Sequence, residues 1–331
     1  MRHPNKCLRC NFKILSHVGV VCYGFACRIV ALRTVNRLIS LAFLAALALA
    51  IPHAEAAKPR AAVARAEFTK DGEPNVRSSG VLVFDPTTGQ TLFSKNADQA
   101  APIASITKLM TAMVVIDANL PMDEAIEITN DDIDLVKNTR SRLPIGSRFR
   151  RDDLLRLALM ASDNRAASAL GRNYPGGLDA FVAAMNAKAK LLGTMQTHYV
   201  DSSGLSPNNV STPADLGKIV GAATSYPLIA EYTTTGAVSV TLPDSKRKLN
   251  FVNTNSLVRH SDWKIGLSKT GYINEAGKCL VMQATIVNTP IVIVLLDSWG
   301  KLTRVADANR IRKWLERNPG KLTTSTGLHP G

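Results

Sequence analysis

The chain has 331 residues, 46% of them apolar and 20% charged, with a formal net charge of +14. That length buries a substantial core in one large domain or two small ones, and the apolar share argues against wholesale disorder. Residues 1–56 carry seven Lys/Arg and one acid, leaving 33 bases against 25 acids, a net +8, for the remainder. No run of Lys/Arg interleaved with aromatic residues occurs, which argues against nucleic-acid binding.

The amino end has the three parts of a secretory signal. Arg33 and Arg37 precede the uncharged run LISLAFLAALALAI (Leu38–Ile51), and AEA follows at Ala54–Ala56. As a helix this run spans about 21 Å, short of a bilayer core of about 30 Å. Residues 1–56 therefore read as a preface and a signal cleaved near Ala56, not as a stable membrane anchor. The first thirty residues are long for such a preface, and a start codon assigned too far upstream accounts for them. They hold Cys7, Cys10, Cys22 and Cys27, whose C-x2-C and C-x4-C spacings invite a zinc reading. The segment is mostly apolar and precedes the signal, so no metal is expected. Cleavage leaves Cys279 alone, which forbids an intramolecular disulfide; in its apolar run it reads as core.

Residues 57–75 are polar and read as a loose leader. GVLVFDPTTGQTLFSKN (Gly80–Asn96) predicts two short strands around a Pro/Gly turn. Helical periodicity dominates from Ser105 to about Tyr226, clearest in ITKLMTAMVVIDA, RDDLLRLALMA and LDAFVAAMNAKAKLL. After Trp263 the pattern returns to strands, KCLVMQATIV and PIVIVLLDS, with a turn expected at Asn288 and Thr289. The amphipathic helix RVADANRIRKWLERN follows, and residues 318–331 read as a disordered tail. Strands at both ends with helices between them predict an α+β domain over 76–317. Its antiparallel sheet is built from both chain ends, flanked by helices and carrying a helical subdomain.

Several catalytic plans are absent. There is no G-x-S-x-G elbow and no H-E-x-x-H, and only His198 and His260 lie between the signal and the tail. Cys279 with a distant histidine is a formal thiol-protease reading. What the chain does carry is S-x-x-K at Ser105–Lys108, S-D-N at Ser162–Asn164 and K-T-G at Lys269–Gly271. S-x-x-K alone is weak, since it also starts at Ser245, Ser261 and Ser298. Only Ser105 opens a long apolar helix, SDN closes one, and KTG begins a strand. The three together form a set known from penicillin-interacting enzymes.

Each element has a physical task. A serine hydroxyl needs a base, and at i+3 on a helix Lys108 reaches the Ser105 oxygen. An amine is a base only when neutral; burial and a neighbouring cation, here Lys269, favour that form. Ser162 and Asn164 are two apart, so a turn or extended segment, not a regular helix, aims both at one site. Ser162 then relays a proton to a leaving amine while Asn164 fixes the substrate backbone. Lys269 and Thr270 on an edge strand grip a carboxylate. Gly271 admits a close substrate backbone, and the N–H groups of Ser105 and Tyr272 suit an oxyanion hole.

From about Val76 to Trp314 the chain resembles the low-molecular-mass penicillin-binding proteins, the serine D-alanyl-D-alanine peptidases. Besides the three motifs, DSSGLSPNNVSTPADLGKIV, NFVNTNSLV and KTGYINEAGKCLVMQA are most similar to the endopeptidase members. The resemblance implies a β-lactamase/transpeptidase-like fold, with Ser105 as acyl-ester nucleophile, Lys108 as proton acceptor, Ser162 as relay and Lys269 as substrate-binding residue. It implies peptidoglycan stem peptides as substrate, β-lactams as covalent inhibitors, no cofactor, and a periplasmic location. The shared motifs do not separate a crosslink endopeptidase from a carboxypeptidase; the resemblance and the absence of a carboxyl-terminal module tilt toward the first. A β-lactamase needs a water-activating glutamate, and between Asn164 and Lys269 only Glu231 is available. A non-catalytic penicillin-binding sensor needs an output module, and neither terminus suggests one.

Overall fold

The computed structural model describes residues 66–242 and 247–322. The segment read as an export signal, most of the leader and the end of the tail lie outside the described residues. Strands β1 (Gly80–Phe84) and β2 (Thr91–Lys95) form the amino-terminal hairpin. Helix α1 (Lys108–Asp117) follows, and then α2 (Arg151–Met160), α3 (Asn164–Arg172), α4 (Gly177–Leu191), α5 (Pro213–Ala223) and α6 (Pro227–Thr234). Three small pairs lie among these helices: β3 (Ala101–Pro102) with β6 (Val210–Ser211), β4 (Ala125–Glu127) with β5 (Arg148–Arg150), and β7 (Ala237–Thr241) with β8 (Lys248–Val252). The chain ends with β9 (Lys264–Ile273), β10 (Gly277–Ile286), β11 (Thr289–Ser298) and α7 (Thr303–Arg317).

The main sheet has the order β2-β1-β11-β10-β9. All its pairings are antiparallel, and Leu82↔Val294 joins the amino-terminal hairpin to the carboxyl-terminal strands. The two ends of the chain thus complete one sheet, as the order of elements predicts. Alternation along β11 explains its unbroken apolar run. Ile291, Ile293 and Leu295 pack in a core with Ile311, Trp314 and Leu315 of α7. Val292, Val294 and Leu296 pack in the core built by the other helices. A strand covered on both faces has no solvent face to mark with polar residues. Helix α1 follows the same logic: Lys108 to Val115 are all buried, because apolar residues surround its axis on every side.

The β10–β11 turn sits one residue earlier than expected. Val287 (φ 48°) and Asn288 (φ 61°) both take the left-handed conformation, and Thr289 already belongs to β11. A two-residue turn of this hand matches the twist of the flanking strands, and Asn288 suits it better than Thr289. The leader is also less loose than its composition suggests. Phe68 pairs with Pro74, Glu67 bonds Lys313 at 2.6 Å, and Arg317 lies 4.6 Å over the Phe68 ring. One aromatic and one acid suffice to fasten residues 66–75 to α7. Past α7, Pro319–Lys321 forms a short 3-10 turn, and Leu322 is buried in the same core.

Candidate active site

The site forms where the free edge of β9 meets the start of α1 and the α2–α3 corner. Ser105 lies in the 3-10 turn Ala104–Thr107, directly ahead of α1. It is half-buried and therefore reachable, whereas Lys108 is fully buried. Ala104, just before the serine, takes φ 48°, a strained conformation for a residue with a Cβ. Two glycines let other backbones close on this turn. A Cβ on Gly271 of β9 would stand 2.9 Å from the Ile103 oxygen and 3.1 Å from Ser105 N. A Cβ on Gly204, itself at φ 82°, would overlap the Ala104 carbonyl.

Lys108 Nζ donates to Ser105 Oγ at 2.9 Å, to Asn164 Oδ1 at 2.6 Å and to the Ser203 carbonyl at 2.6 Å. A neutral amine keeps this geometry by accepting from the Ser105 hydroxyl and donating to the other two. Burial pushes the Lys108 amine down from 10.5 to about 8, against the opposing charges of Asp201, Asp163 and Asp134. Lys269, also fully buried, is pushed well down by burial first, then by Lys108 and Arg304. Sequence reasoning cast Lys269 as the cation that holds Lys108 neutral. In the structure burial leads for both amines, and the Lys108 charge counts against Lys269.

Ser162 and Asn164 reach the site through a corner. Ser162 follows α2 at φ 58°, Asp163 caps α3 by accepting from Ala166 N at 2.9 Å, and Asn164 is the first helical residue. This break sends the two side chains to different partners. Lys269 Nζ donates to Ser162 Oγ at 2.8 Å and to the Thr270 carbonyl at 2.9 Å, while Asn164 takes the Lys108 amine. Thr270 Oγ1 donates to Thr254 Oγ1 at 2.6 Å. Tyr272 stands apart: its ring is exposed and its hydroxyl bonds Asn274 at 2.9 Å, so its side chain takes no part in these contacts.

The motifs alone miss three groups. The Ser203 carbonyl, an acceptor for Lys108, comes from the loop 201–206. Asp201 organises that loop by accepting from the N–H groups of Ser203, Gly204 and Ser206 at 2.7, 2.5 and 2.9 Å. Thr139 Oγ1 accepts from Asn164 Nδ2 at 2.9 Å. Arg304 of α7 donates to the Gly271 and Cys279 carbonyls at 3.0 and 3.1 Å, bracing β9 from behind. A backbone acceptor has no sequence signature, although the glycine of DSSG marks the tight turn that presents it.

Competing centres are weak. Cys279 is buried, its thiol donates to the Ala276 carbonyl, and burial pushes it up to about 11, which makes it inert. Glu231 is exposed on α6 and spends its carboxylate on Arg156 at 3.4 Å. Among the described residues no group of three or more His, Cys, Asp or Glu is placed to hold a metal ion.

A reachable serine against a buried amine, beside a second buried lysine on a sheet edge, defines a serine acyl-transfer enzyme of the penicillin-interacting class. A family model described as D-alanyl-D-alanine carboxypeptidase matches residues 67–300. The chain is 47% identical over 284 residues to a D-alanyl-D-alanine endopeptidase of Pseudomonas aeruginosa, covering 85% of this chain and 89% of that protein. It is 45% identical to the endopeptidase of Escherichia coli, over 83% and 87% of the two chains. The crystal structure of a Streptomyces DD-transpeptidase superposes with a TM-score of 0.68 at 30% identity, over 73% of this chain and 97% of that one. The chain belongs to the D-alanyl-D-alanine carboxypeptidase family of serine peptidases, whose members act through an acyl-enzyme.

Proposed function

We propose that this protein is a serine D-alanyl-D-alanine endopeptidase that opens peptidoglycan crosslinks through an ester on Ser105. The observation that carries the reading is the fully buried Lys108 amine 2.9 Å from Ser105 Oγ. Neutral Lys108 takes the hydroxyl proton as Oγ attacks the D-alanyl carbonyl. The N–H groups of Ser105 and Tyr272 receive the oxyanion. Ser162, held by Lys269, hands its proton to the leaving amine and takes up the one Lys108 removed, so the C–N bond breaks and Lys108 is neutral again. Water then attacks the ester, with Lys108 again as base.

Lys269 and Thr270 receive the carboxylate beside the scissile bond. An anion there raises the proton affinity of Lys269, so a proton shared by the two lysines is drawn to Lys269 and Lys108 is left neutral. Substrate binding thereby restores the arrangement that the free enzyme lacks. Asn164, between Lys108 and Thr139, steadies the acyl-side amide. The free edge of β9 suits an extended peptide, which adds to it as a strand. A β-lactam fits the same cleft and, because its leaving group stays tethered, acylates Ser105 without rapid release. The names of the relatives favour the endopeptidase over the carboxypeptidase. In the same reading the mature protein works in the periplasm after cleavage near Ala56. Among the described residues no helix is long and apolar enough to cross a membrane.

The test is to digest intact crosslinked muropeptides with purified protein and to label it with a fluorescent penicillin. Dimers should become monomers before pentapeptides lose their terminal alanine, and Ser105→Ala should abolish both cleavage and labelling. Ser245→Ala, Ser261→Ala and Ser298→Ala should keep both. Lys108→Arg should acylate at least about a hundredfold more slowly, because a guanidinium stays protonated. Release of D-alanine while dimers stay intact makes the enzyme a carboxypeptidase, and labelling of Ser105→Ala overturns the mechanism.

A further inference from the structure

Beside Ser162 the cleft opens into a recess of about 230 Å³, lined by Arg140 and Arg142 and by Phe251 and Val252. The arginines come from the connection between β4 and β5, and the apolar pair from β8. Ser162 and Asn164 line the recess too, so it is continuous with the reacting groups. Its electrostatics are one-sided. The single acid on its lining, Asp163, is committed: one oxygen caps α3 at Ala166 N and the other accepts from Ser141 Oγ at 2.8 Å. Arg142 donates to the Asn250 carbonyl and lies 5.4 Å over the Phe251 ring, contacts that hold the guanidinium without neutralising it. Arg140 is exposed and has no hydrogen bond or ion pair within the described residues. Arg148, Arg151, Arg156 and Arg172, on the neighbouring elements, each face a carboxylate. Two uncompensated guanidinium groups at the mouth of a reaction cleft are suited to an anionic ligand.

We propose that Arg140 and Arg142 form a subsite for the free carboxylates of the leaving stem peptide, and that this subsite selects crosslinks over a terminal D-alanine. The proposal rests on the endopeptidase reading, in which Ser162 protonates the leaving amine; a recess that opens at Ser162 then receives the leaving half of the substrate. D-Alanine has one carboxylate, already held at Lys269 and Thr270, and is too short to reach further. A leaving stem peptide carries additional carboxylates and the length to bring one to the arginines. A planar guanidinium offers paired donors matched to a carboxylate, which a lysine does not. Phe251 and Val252 give the aliphatic part of the stem a dry wall.

The experiment measures cleavage of a crosslinked muropeptide dimer and of the same dimer with its free leaving-stem carboxylates amidated, except the one beside the scissile bond that Lys269 and Thr270 receive. It compares the purified protein with Arg140→Gln, Arg142→Gln and the double variant. The unmodified protein should cleave the acidic dimer about tenfold more efficiently than the amidated one, which corresponds to about 1.4 kcal/mol. That preference should fall to about one in the double variant, with the loss in KM and not in kcat. Arg140→Lys should retain part of it. Labelling by a penicillin, which brings no leaving stem, should keep its rate within about twofold. Equal cleavage of both dimers by the unmodified protein, or a preference that survives in the double variant, overturns the subsite. So does penicillin labelling that falls in step with dimer cleavage, because the arginines are then structural. Failure of the endopeptidase reading looks different: the unmodified protein labels with penicillin and cleaves neither dimer.

Discussion

Acylation of Ser105 should follow the loss of one proton near pH 8. Lys108 is the perturbed group, lowered from 10.5 to about 8 by burial. At pH 7 an ordinary lysine is neutral in about three molecules in ten thousand, and one titrating near 8 in about one in ten. The net shift, led by burial, therefore enlarges the competent population roughly 300-fold at neutral pH. Between pH 7 and pH 9 the neutral fraction in the free enzyme climbs from about one tenth to about nine tenths, so the second-order acylation rate constant should rise about tenfold over that range. Stopped-flow acylation by a fluorescent penicillin from pH 6 to 10 reads this directly, since the drug's carboxylate stays ionised throughout. The two lysines face one cleft, so the observed inflection belongs to the pair. A rate that keeps rising to an inflection near 10.5, or one that is flat from 6 to 9, refutes the assignment of Lys108 as base.

The same amine leaves a mark on stability. Its folded-state affinity for a proton is below that of the unfolded chain, so stability rises with pH between about 8 and 10.5 and is lost as pH falls back through 8. Relative to Lys108→Met, the unmodified protein should gain about 3 kcal/mol between pH 7 and pH 10.5 in denaturant titrations; a constant difference contradicts the burial argument. Gly204→Ala should slow acylation at least about a hundredfold, because the Ala104 carbonyl and the serine turn must move. Gly89→Ala, equally left-handed at φ 74° but with open space around it, should cost stability and leave acylation unchanged. Asp307 is buried on α7 and accepts from Arg77 N, Ser78 N and Ser78 Oγ at 3.0, 2.8 and 2.7 Å, with Arg310 at 2.6 Å. Asp307→Ala orphans these donors and should cost about 3–5 kcal/mol in equilibrium unfolding; a loss below about 1 kcal/mol would mean that water replaces the carboxylate.

The sequence made side-chain identity legible and backbone placement illegible. Ser105, Lys108, Ser162, Asn164 and Lys269 could be picked out because each motif keeps its chemistry within four residues. The structure brings all five into two hydrogen-bonded sets. The β1–β2 hairpin, the long helices and the last three strands were legible because each repeats its period several times. The pairs β3–β6 and β4–β5 were not, since two or three residues cannot display an alternation. The β7–β8 hairpin carries a short alternation that went unread between the helical patterns and the last strands. Arg140 and Arg142 read as ordinary surface charge until the recess beside Ser162 showed what they face. The coupling of the lysines was half legible: burial could be inferred from the apolar helix, but the reciprocal penalty on Lys269 needed the geometry.

Strain at the two corners of the cleft ties these observations together. Ala104 and Ser162 are both left-handed residues that carry a Cβ, each costing on the order of 1–3 kcal/mol. One precedes the serine that Lys108 holds; the other is the serine held by Lys269. Glycine would relax either position, so the side chains must be worth more than the strain. At Ser162 the reason is its hydroxyl. At Ala104 the methyl is fully buried and lies where Gly271 has no side chain, so β9 closes directly onto the serine turn. The remaining packing holds both corners in place: a helix buried on every side fixes Lys108, and a sheet completed by both chain ends fixes β9. Rigid elements thus hold two strained residues at the step proposed for the chemistry, the transfer of one proton between Ser105, Lys108 and Ser162.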